Sequence, residues 1–526
     1  MKKQFLLAGL AALMLASCST EEQSAGSGYV SGNKIILNAT PPNSGTRVNE
    51  TSSDTYGLMT TWNDDDQLDV LVNTNAVVSM TKSTGNTFTA TPANSTIAAG
   101  FNPGKTIYGV NNKSDDKITT ALNGSQLKAT LDLTGQDGTV DNLKKYDLMY
   151  GKGNPTGNIT FNHKICVMRL DINSSQLSTD NITSIKGMTL TYTPTSGTSL
   201  FASQEVYNLG ASCDSTITDA ASITLSNATG ISVTGGAATV YIAVPNRQNL
   251  YGTLTISMDA VDGTGNKIEY TLTNALSLTN GRMLISTVHH LDITGLSKIV
   301  IGDYLFSDGT RGAIANNPGK TPVAVIFSTT TSTADQANKW THGYAMALKT
   351  VNSPATYKWD PNNGSVTPNP TGKYYTTTAA IIADKDGYTH TTYINSPTYP
   401  AGYAAATTYK NTVAAPVGTS GWYLPSSGQW FDICVNLGKM DATGYTLSGI
   451  CPYWSQSTTC VNNFNAYLSP LTAGTYTAFT TNDDYWSSSE YSTNSYDYSA
   501  NFTGGNVILY YNGKAYTFLV RPVIAF

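Results

Sequence analysis

A chain of 526 residues has room for about three domains of ordinary size. Only 12% of its residues are charged and the net charge is -5, so there is no basic surface for a nucleic acid and that class of partner is excluded. Gly, Thr, Ser, Asn and Tyr are abundant instead, and sparse charge with many β-branched and aromatic residues predicts a mainly β protein whose strands are joined by polar turns.

At the amino terminus Lys2 and Lys3 form a positive region, Phe5 to Leu15 a short apolar run, and Leu15-Ala16-Ser17-Cys18 a small-residue close. The apolar run is shorter than the roughly 20 residues a bilayer requires, which predicts a signal peptide over residues 1–18 and not a membrane span. The cysteine at the cut makes the segment resemble a lipoprotein signal. That resemblance implies that Cys18 is acylated and that a lipid anchors the precursor in the outer membrane. Ser19-Thr20-Glu21-Glu22 is similar to the surface-export tag of Bacteroidia lipoproteins. No later segment is long and apolar enough to span a membrane.

Residues 19–47 read as a tether followed by one strand. The Gly/Ser-rich start suits a flexible tether. Lys34 to Thr40 reads as a strand, halted by Pro41-Pro42 and Gly45, and Arg47 follows in a polar loop before Val48. From there short strand patterns alternate with turn clusters such as Asn111-Asn112 and Asp137-Gly138. Regular short strands with turn signals predict β-sandwiches, and the span divides best into two, over 48–157 and 158–295.

Several chemical signals in this span fail on spacing. Asp64-Asp65-Asp66 with Asp69 lacks the central glycine and closing Glu of a calcium loop and reads as a solvated turn. The two Asn-Pro-Gly-Lys-Thr runs, at 102–106 and 317–321, lack the earlier glycine of a phosphate-binding loop and read as turns before strands. His289-His290 has no third ligand at metal spacing and reads as strand-edge sequence. Of six cysteines, five remain after Cys18, and none shows Cys-x-x-Cys spacing, so no structural metal is expected. Cys451 and Cys460 are close enough in sequence to clip one loop, although the pairing stays open.

Two segments carry a family resemblance. "TTWNDDDQLDVLV" (Thr60 to Val72) and "ITFNHKICVMRLDI" (Ile159 to Ile172), with Phe161, His163, Val167, Arg169 and Asp171 in the second, resemble the fimbrillin family, the two-domain transthyretin-like pilins of Bacteroidia. The resemblance covers roughly residues 30–295. It implies two transthyretin-like β-sandwiches, other fimbrial subunits as partners, and proteolytic processing between Arg47 and Val48 that removes the amino-terminal strand. By its chemistry His163 reads as a structural residue beside a strand, with no visible partner for catalysis.

From Ile301 the chain becomes aromatic-rich. "GWYLPSSGQWFDICVNLGKM" (Gly421 to Met440) holds one clear helix, capped by Ser426 or Ser427, with Trp430, Ile433, Cys434 and Leu437 at helical spacing on its buried face. With "DDYWSSSEYS" (Asp483 to Ser492) and the terminal "FLVRPVIAF" (Phe518 to Phe526), the order of motifs resembles the C-type-lectin-like domains of bacterial surface proteins. Formylglycine-generating enzymes share that general fold. An α+β domain over 296–526 follows from the resemblance. It lacks the Glu-Pro-Asn or Gln-Pro-Asp triplet of calcium lectins and the active-site cysteine pair of the enzymes. Gln429 stands where relatives often carry Glu.

No Gly-x-Ser-x-Gly elbow or His-Glu-x-x-His helix is present, and nothing sets Asp483, Asp484 or Glu490 as a glycosidase pair. The expected function is therefore binding without catalysis or cofactor. The chain reads as a fimbrial subunit at a tip, assembled by strand exchange and binding a glycan or a host protein. The alternative is a surface lipoprotein that captures glycans and never polymerises. Tyr485, Trp486, Tyr491, Tyr496 and Tyr498 are the candidate ligand residues, because aromatic rings offer large faces at low entropy cost. Trp486 is the one among them that large rings' usual burial assigns to the core.

Overall fold

The computed structural model describes residues 35–41, 62, 64–72, 75–91, 101, 105–112, 116–155, 158–210, 213–283, 288–361, 373–491 and 495–526. Cys18, Arg47 and Val48 lie outside the described residues. The chain is mainly β. Among the described residues no helix is long and apolar enough to cross a membrane.

The first strands in chain order are β1 (Ile35–Thr40), β2 (Gln67–Val72), β3 (Ala76–Lys82), β4 (Thr87–Ala90), β5 (Ile107–Asn111), β6 (Ile118–Asn123), β7 (Gln126–Asp132), β8 (Met149–Gly153) and β9 (Asn158–His163). Seven of these close into a barrel in the order β1-β4-β3-β2-β5-β8-β9. Strand alternation explains why β1 belongs there: Ile35, Leu37 and Ala39 point inward and are fully buried. Its edges are both used, antiparallel to β4 with Ile35 opposite Ala90, and parallel to β9 with Asn38 opposite Asn158. Inside the barrel, Trp62 packs edge-on against Phe88 at 5.2 Å and Phe161 at 5.4 Å. Its indole N–H donates to the Ala39 carbonyl at 2.6 Å. His163 is the last residue of β9 itself, buried, with Nδ1 2.6 Å from an Asp147 carboxylate oxygen.

β6 and β7 leave the barrel to join the next unit. Its strands are β10 (Cys166–Asn173), β11 (Ile182–Ser196), β12 (Phe201–Leu209), β13 (Cys213–Ala220), β14 (Ser222–Ser232), β15 (Ala237–Val244), β16 (Arg247–Asp262), β17 (Lys267–Leu272), β18 (Leu276–Met283), β19 (Val288–Ile293) and β20 (Leu296–Lys298). One sheet runs β13-β12-β7-β6, so strands from both halves of residues 48–295 share it. A common core that includes Leu71, Tyr108, Leu131, Val167 and Tyr207 fills the space behind. A larger sheet, β14-β11-β16-β17-β20, and a smaller one, β15-β10-β19, enclose a second core around Leu190, Ile242 and Ile256. His290 lies on edge strand β19, with Nδ1 3.0 Å from Asp171. The acidic run needs correction. Asp64 is an exposed turn residue paired with Lys82, but Asp69 is buried in β2 and accepts from Ser79, Asn112 and Thr120.

The carboxy-terminal part is α+β. Its strands are β21 (Tyr304–Phe306), β22 (Arg311–Gly312), β23 (Pro322–Ser328), β24 (Tyr344–Ala347), β25 (Tyr357–Lys358), β26 (Thr446–Ser448), β27 (Cys451–Trp454), β28 (Asp484–Glu490), β29 (Tyr496–Asn501), β30 (Val507–Gly513), β31 (Thr517–Phe518) and β32 (Val523–Ala525). They form sheets β22-β21-β23-β24-β32, β25-β31 and β26-β27-β30-β29-β28. The expected helix spans Ser427–Asp432 and is started by a reciprocal capping box between Ser426 and Gln429. Trp430, Ile433, Cys434 and Leu437 are all fully buried. Cys451 sits in β27 and Cys460 in the helix Ser457–Leu468, and both are free thiols, so they form no clip. Two polar contacts fasten this part to the preceding sheet: Arg311 pairs with Glu269, and His342 Nε2 lies 3.0 Å from Asp259.

Candidate functional site: a strand slot and an aromatic face

Two places have the geometry of binding sites. The first is the slot that β1 occupies. Its walls are the edges of β4 and β9, and its floor is the apolar interior around Trp62, Met80, Phe88 and Phe161. Removal of β1 would expose two rows of unpaired backbone groups and the pockets of Ile35 and Leu37. That is the surface another extended segment needs for pairing.

The second lies where β29 and β30 run antiparallel, with Tyr498 opposite Tyr511 and Tyr496 opposite Gly513. The Tyr491 ring stacks on Tyr511 with centroids 4.1 Å apart and 5° between planes. Tyr510 continues the stack at 4.8 Å, and Tyr496 meets Tyr511 edge-on at 5.8 Å. Tyr496 is 41% exposed, and the other three rings are half-buried. The result is a cluster of partly exposed tyrosine rings at the edge of the core. Such a cluster can stack on a sugar ring while its hydroxyls bond to the sugar's own.

Of the five ligand candidates, Tyr491 and Tyr496 lie in this cluster with part of their surface exposed, and the other three are buried. Tyr485, Trp486 and Tyr498 are fully buried. The reason is that β28 runs between two cores: Tyr485 packs in one, beside Trp430 and Phe479, while Trp486 packs in the other, beside Phe518. With both faces covered, neither ring can meet a ligand. Each also spends its polar tip internally. The Trp486 indole N–H donates to Tyr357 at 2.7 Å, and the Tyr498 hydroxyl donates to the Tyr375 carbonyl at 2.6 Å. Tyr498 belongs to β29, not to a loop. Asp484 and Glu490 stand at opposite ends of β28, about 20 Å apart at strand rise, far beyond glycosidase spacing.

Tyr510 and Tyr511 were not legible as site residues from "VILYYNG", which reads simply as a strand. A polar pocket of about 450 Å³, lined in part by Ser332, Thr333, Lys373, Tyr375, Asp384 and Asp386, also went unanticipated. Its residues come from segments remote from the recognised motifs.

No protein-family model matches the chain, and no curated protein matches it. Among solved structures, a fimbrial protein from Bacteroides ovatus aligns over 94% of this chain and 99% of its own, at 13% identity and a TM-score of 0.37. A fimbrial protein from Bacteroides vulgatus aligns over 45% of this chain and 92% of its own, at 13% identity and a TM-score of 0.25. A fimbrial assembly protein from Parabacteroides distasonis covers 46% and 86%, at 9% identity and a TM-score of 0.22. These scores lie below the level that marks a shared overall fold.

Proposed function

We propose that the chain is an adhesive surface subunit of the fimbrillin type, which accepts a neighbour's strand in its first barrel and binds a glycan through its carboxy-terminal tyrosine face. The observation that carries this reading is the position of β1. It is the most amino-terminal described strand, it precedes Arg47, and its alternate residues fill a slot bonded on both sides. Cleavage after Arg47 would detach that strand, and a donor with the same alternation would restore both the apolar floor and the two ladders. In this reading Cys18 carries the lipid that delivers the precursor to the outer membrane.

A tip position is part of this reading. β32 pairs with β24 and with Tyr423, and the Phe526 carbonyl accepts from the amides of His342 and Gly343. In this reading β32 stays in its own sheet, is not donated to a neighbour, and the subunit caps a polymer. The second reading, a lipoprotein that captures glycans without polymerising, is favoured by the barrel being closed with β1 in place. The mature amino terminus on cells separates the two. A start at Val48 is expected for the assembling subunit, and an acylated Cys18 on the mature surface protein would establish the receptor instead.

A further inference from the structure

The pocket beside Tyr375 contains the donor set of a metal ion. Asp384 ends one helix as its carboxy-terminal cap, and Asp386 is the amino-terminal cap of the next, Gly387–Ile394. His390 lies one turn into that helix and therefore on the same face as Asp386. One donor atom from each of Asp384, Asp386 and His390 lies within 4.8 Å of the others. Asp384 and Asp386 are among the residues that line the pocket of about 450 Å³; the Asp386 carboxylate is partly exposed, whereas Asp384 and His390 are buried behind it. His390 is also oriented as ligating histidines are. Its Nε2 is hydrogen-bonded to the Tyr375 hydroxyl at 3.0 Å, and its Nδ1, 3.8 Å from Asp384, shares a 3.3 Å hydrogen bond with the Ser488 hydroxyl that a bound ion would replace.

Asp497 is fully buried in the same polar layer, and neither carboxylate oxygen has a well-formed hydrogen bond to the described residues. Burial, opposed by Lys514 and reinforced by Glu490 and Asp384, raises its carboxyl well above the usual range. The layer thus combines the carboxylates of Asp384, Asp386, Glu490 and Asp497 with the ammonium groups of Lys514, on Glu490, and Lys373, on Asp386.

We propose that Asp384, Asp386 and His390 bind one divalent first-row transition-metal ion, leaving its remaining positions open to the pocket. Two oxygen donors and one imidazole suit zinc or manganese better than calcium, which takes oxygen donors alone. Closing the three donors around an ion would bring them to ordinary bond lengths of about 2.0–2.2 Å. Lys373, whose Nζ lies 2.6 Å from Asp386, holds the place of the positive charge in the empty site. Its side chain is 60% exposed, so an incoming ion displaces it into solvent. The site is separate from the tyrosine face and stands or falls independently of glycan binding.

The test uses the full chain, stripped with a chelator and titrated with cobalt(II) and, separately, with manganese(II). One ion per chain is expected, with weak visible cobalt bands and no intense thiolate charge-transfer band. Asp386→Asn should lower the affinity at least tenfold without changing the melting temperature of the stripped protein. Lys373→Ala should raise the affinity several-fold, an effect that does not depend on the folding of any buried-site variant. Absence of saturable one-to-one binding, a thiolate band, or equal affinity in wild type, Asp386→Asn and Lys373→Ala would each overturn the assignment.

Discussion

Phe161 shows how single residues set the dimensions of the barrel. Its ring fills the interior only because Gly109 and Gly151 face it: a Cβ at Gly151 would lie 2.9 Å from the ring and 2.8 Å from Ile159. Gly151→Ala should therefore destabilise the protein by about 1–3 kcal/mol through overpacking, read as a lower denaturation midpoint. The tyrosine cluster behaves differently, because its rings are partly exposed. Paired alanine substitutions at Tyr491 and Tyr511 should lower binding to whichever glycan an array identifies by at least tenfold while the melting temperature stays close to wild type. Trp486→Ala should instead cost about 3–5 kcal/mol of stability, as expected for a buried ring.

Glu205 provides a pH-dependent test at the same scale. It is buried in β12, and loss of solvation raises its carboxyl to about 7, against weaker opposing effects from Tyr207, Ser215, Arg247 and Lys164. A raised folded-state pKa favours the native state while the proton is kept. That stabilisation is complete below the unfolded value and is lost as pH rises through about 7. Glu205→Gln should match wild type near pH 4 and melt at a higher temperature near pH 8, by up to roughly 3 kcal/mol. Equal pH profiles for the two proteins would show that Glu205 does not keep its proton in the fold.

At the level of elements, β1 carries most of the functional consequence. Burying Ile35 and Leu37 contributes about 1.5–3 kcal/mol each. A protein beginning at Val48 should thus melt well below the full chain, and a synthetic peptide of residues 34–40 added in excess should restore the difference. Retention of the full melting temperature without the strand would mean the slot closes by itself. The alternation Ile35, Leu37, Ala39 made β1 legible in the sequence, as Ser426 and the spacing of Trp430, Ile433, Cys434 and Leu437 did for the carboxy-terminal helix. What alternation cannot show is the partner. The parallel pairing of β1 with β9, and the departure of β6 and β7 to β12, depend on contacts between residues far apart in the chain. The same limit hid the burial of Tyr485, whose strand β28 has a polar serine run and reads as half-exposed until a second core covers its other face, and of Tyr498 in β29. Asp384, Asp386 and His390 lie close together in the sequence, and what stayed hidden is the packing of Tyr375 and Ser488, from other elements, against His390.

Across the whole molecule, the slot belongs to the first barrel and the tyrosine face to the last part, with a shared sheet and core joining the two halves of residues 48–295. Arg311 and His342 then carry the load to the carboxy-terminal part through Glu269 and Asp259. Arg311→Ala should leave each part folded but widen the distribution of interdomain distances in solution scattering, because it removes a half-buried pair whose acid is left without its cation. In the proposed reading, the slot of the first barrel receives a strand and the tyrosine cluster of the last part meets the ligand.

The most direct measurement of that organisation is to prepare the Val48-start protein, mix it with a strand-donating stalk subunit, and image the products by electron microscopy. Filaments should carry this chain at one end only, and the Val48-start protein alone should remain monomeric. Long homopolymers formed by the protein alone, or its incorporation along the filament length, would contradict a strand-accepting cap.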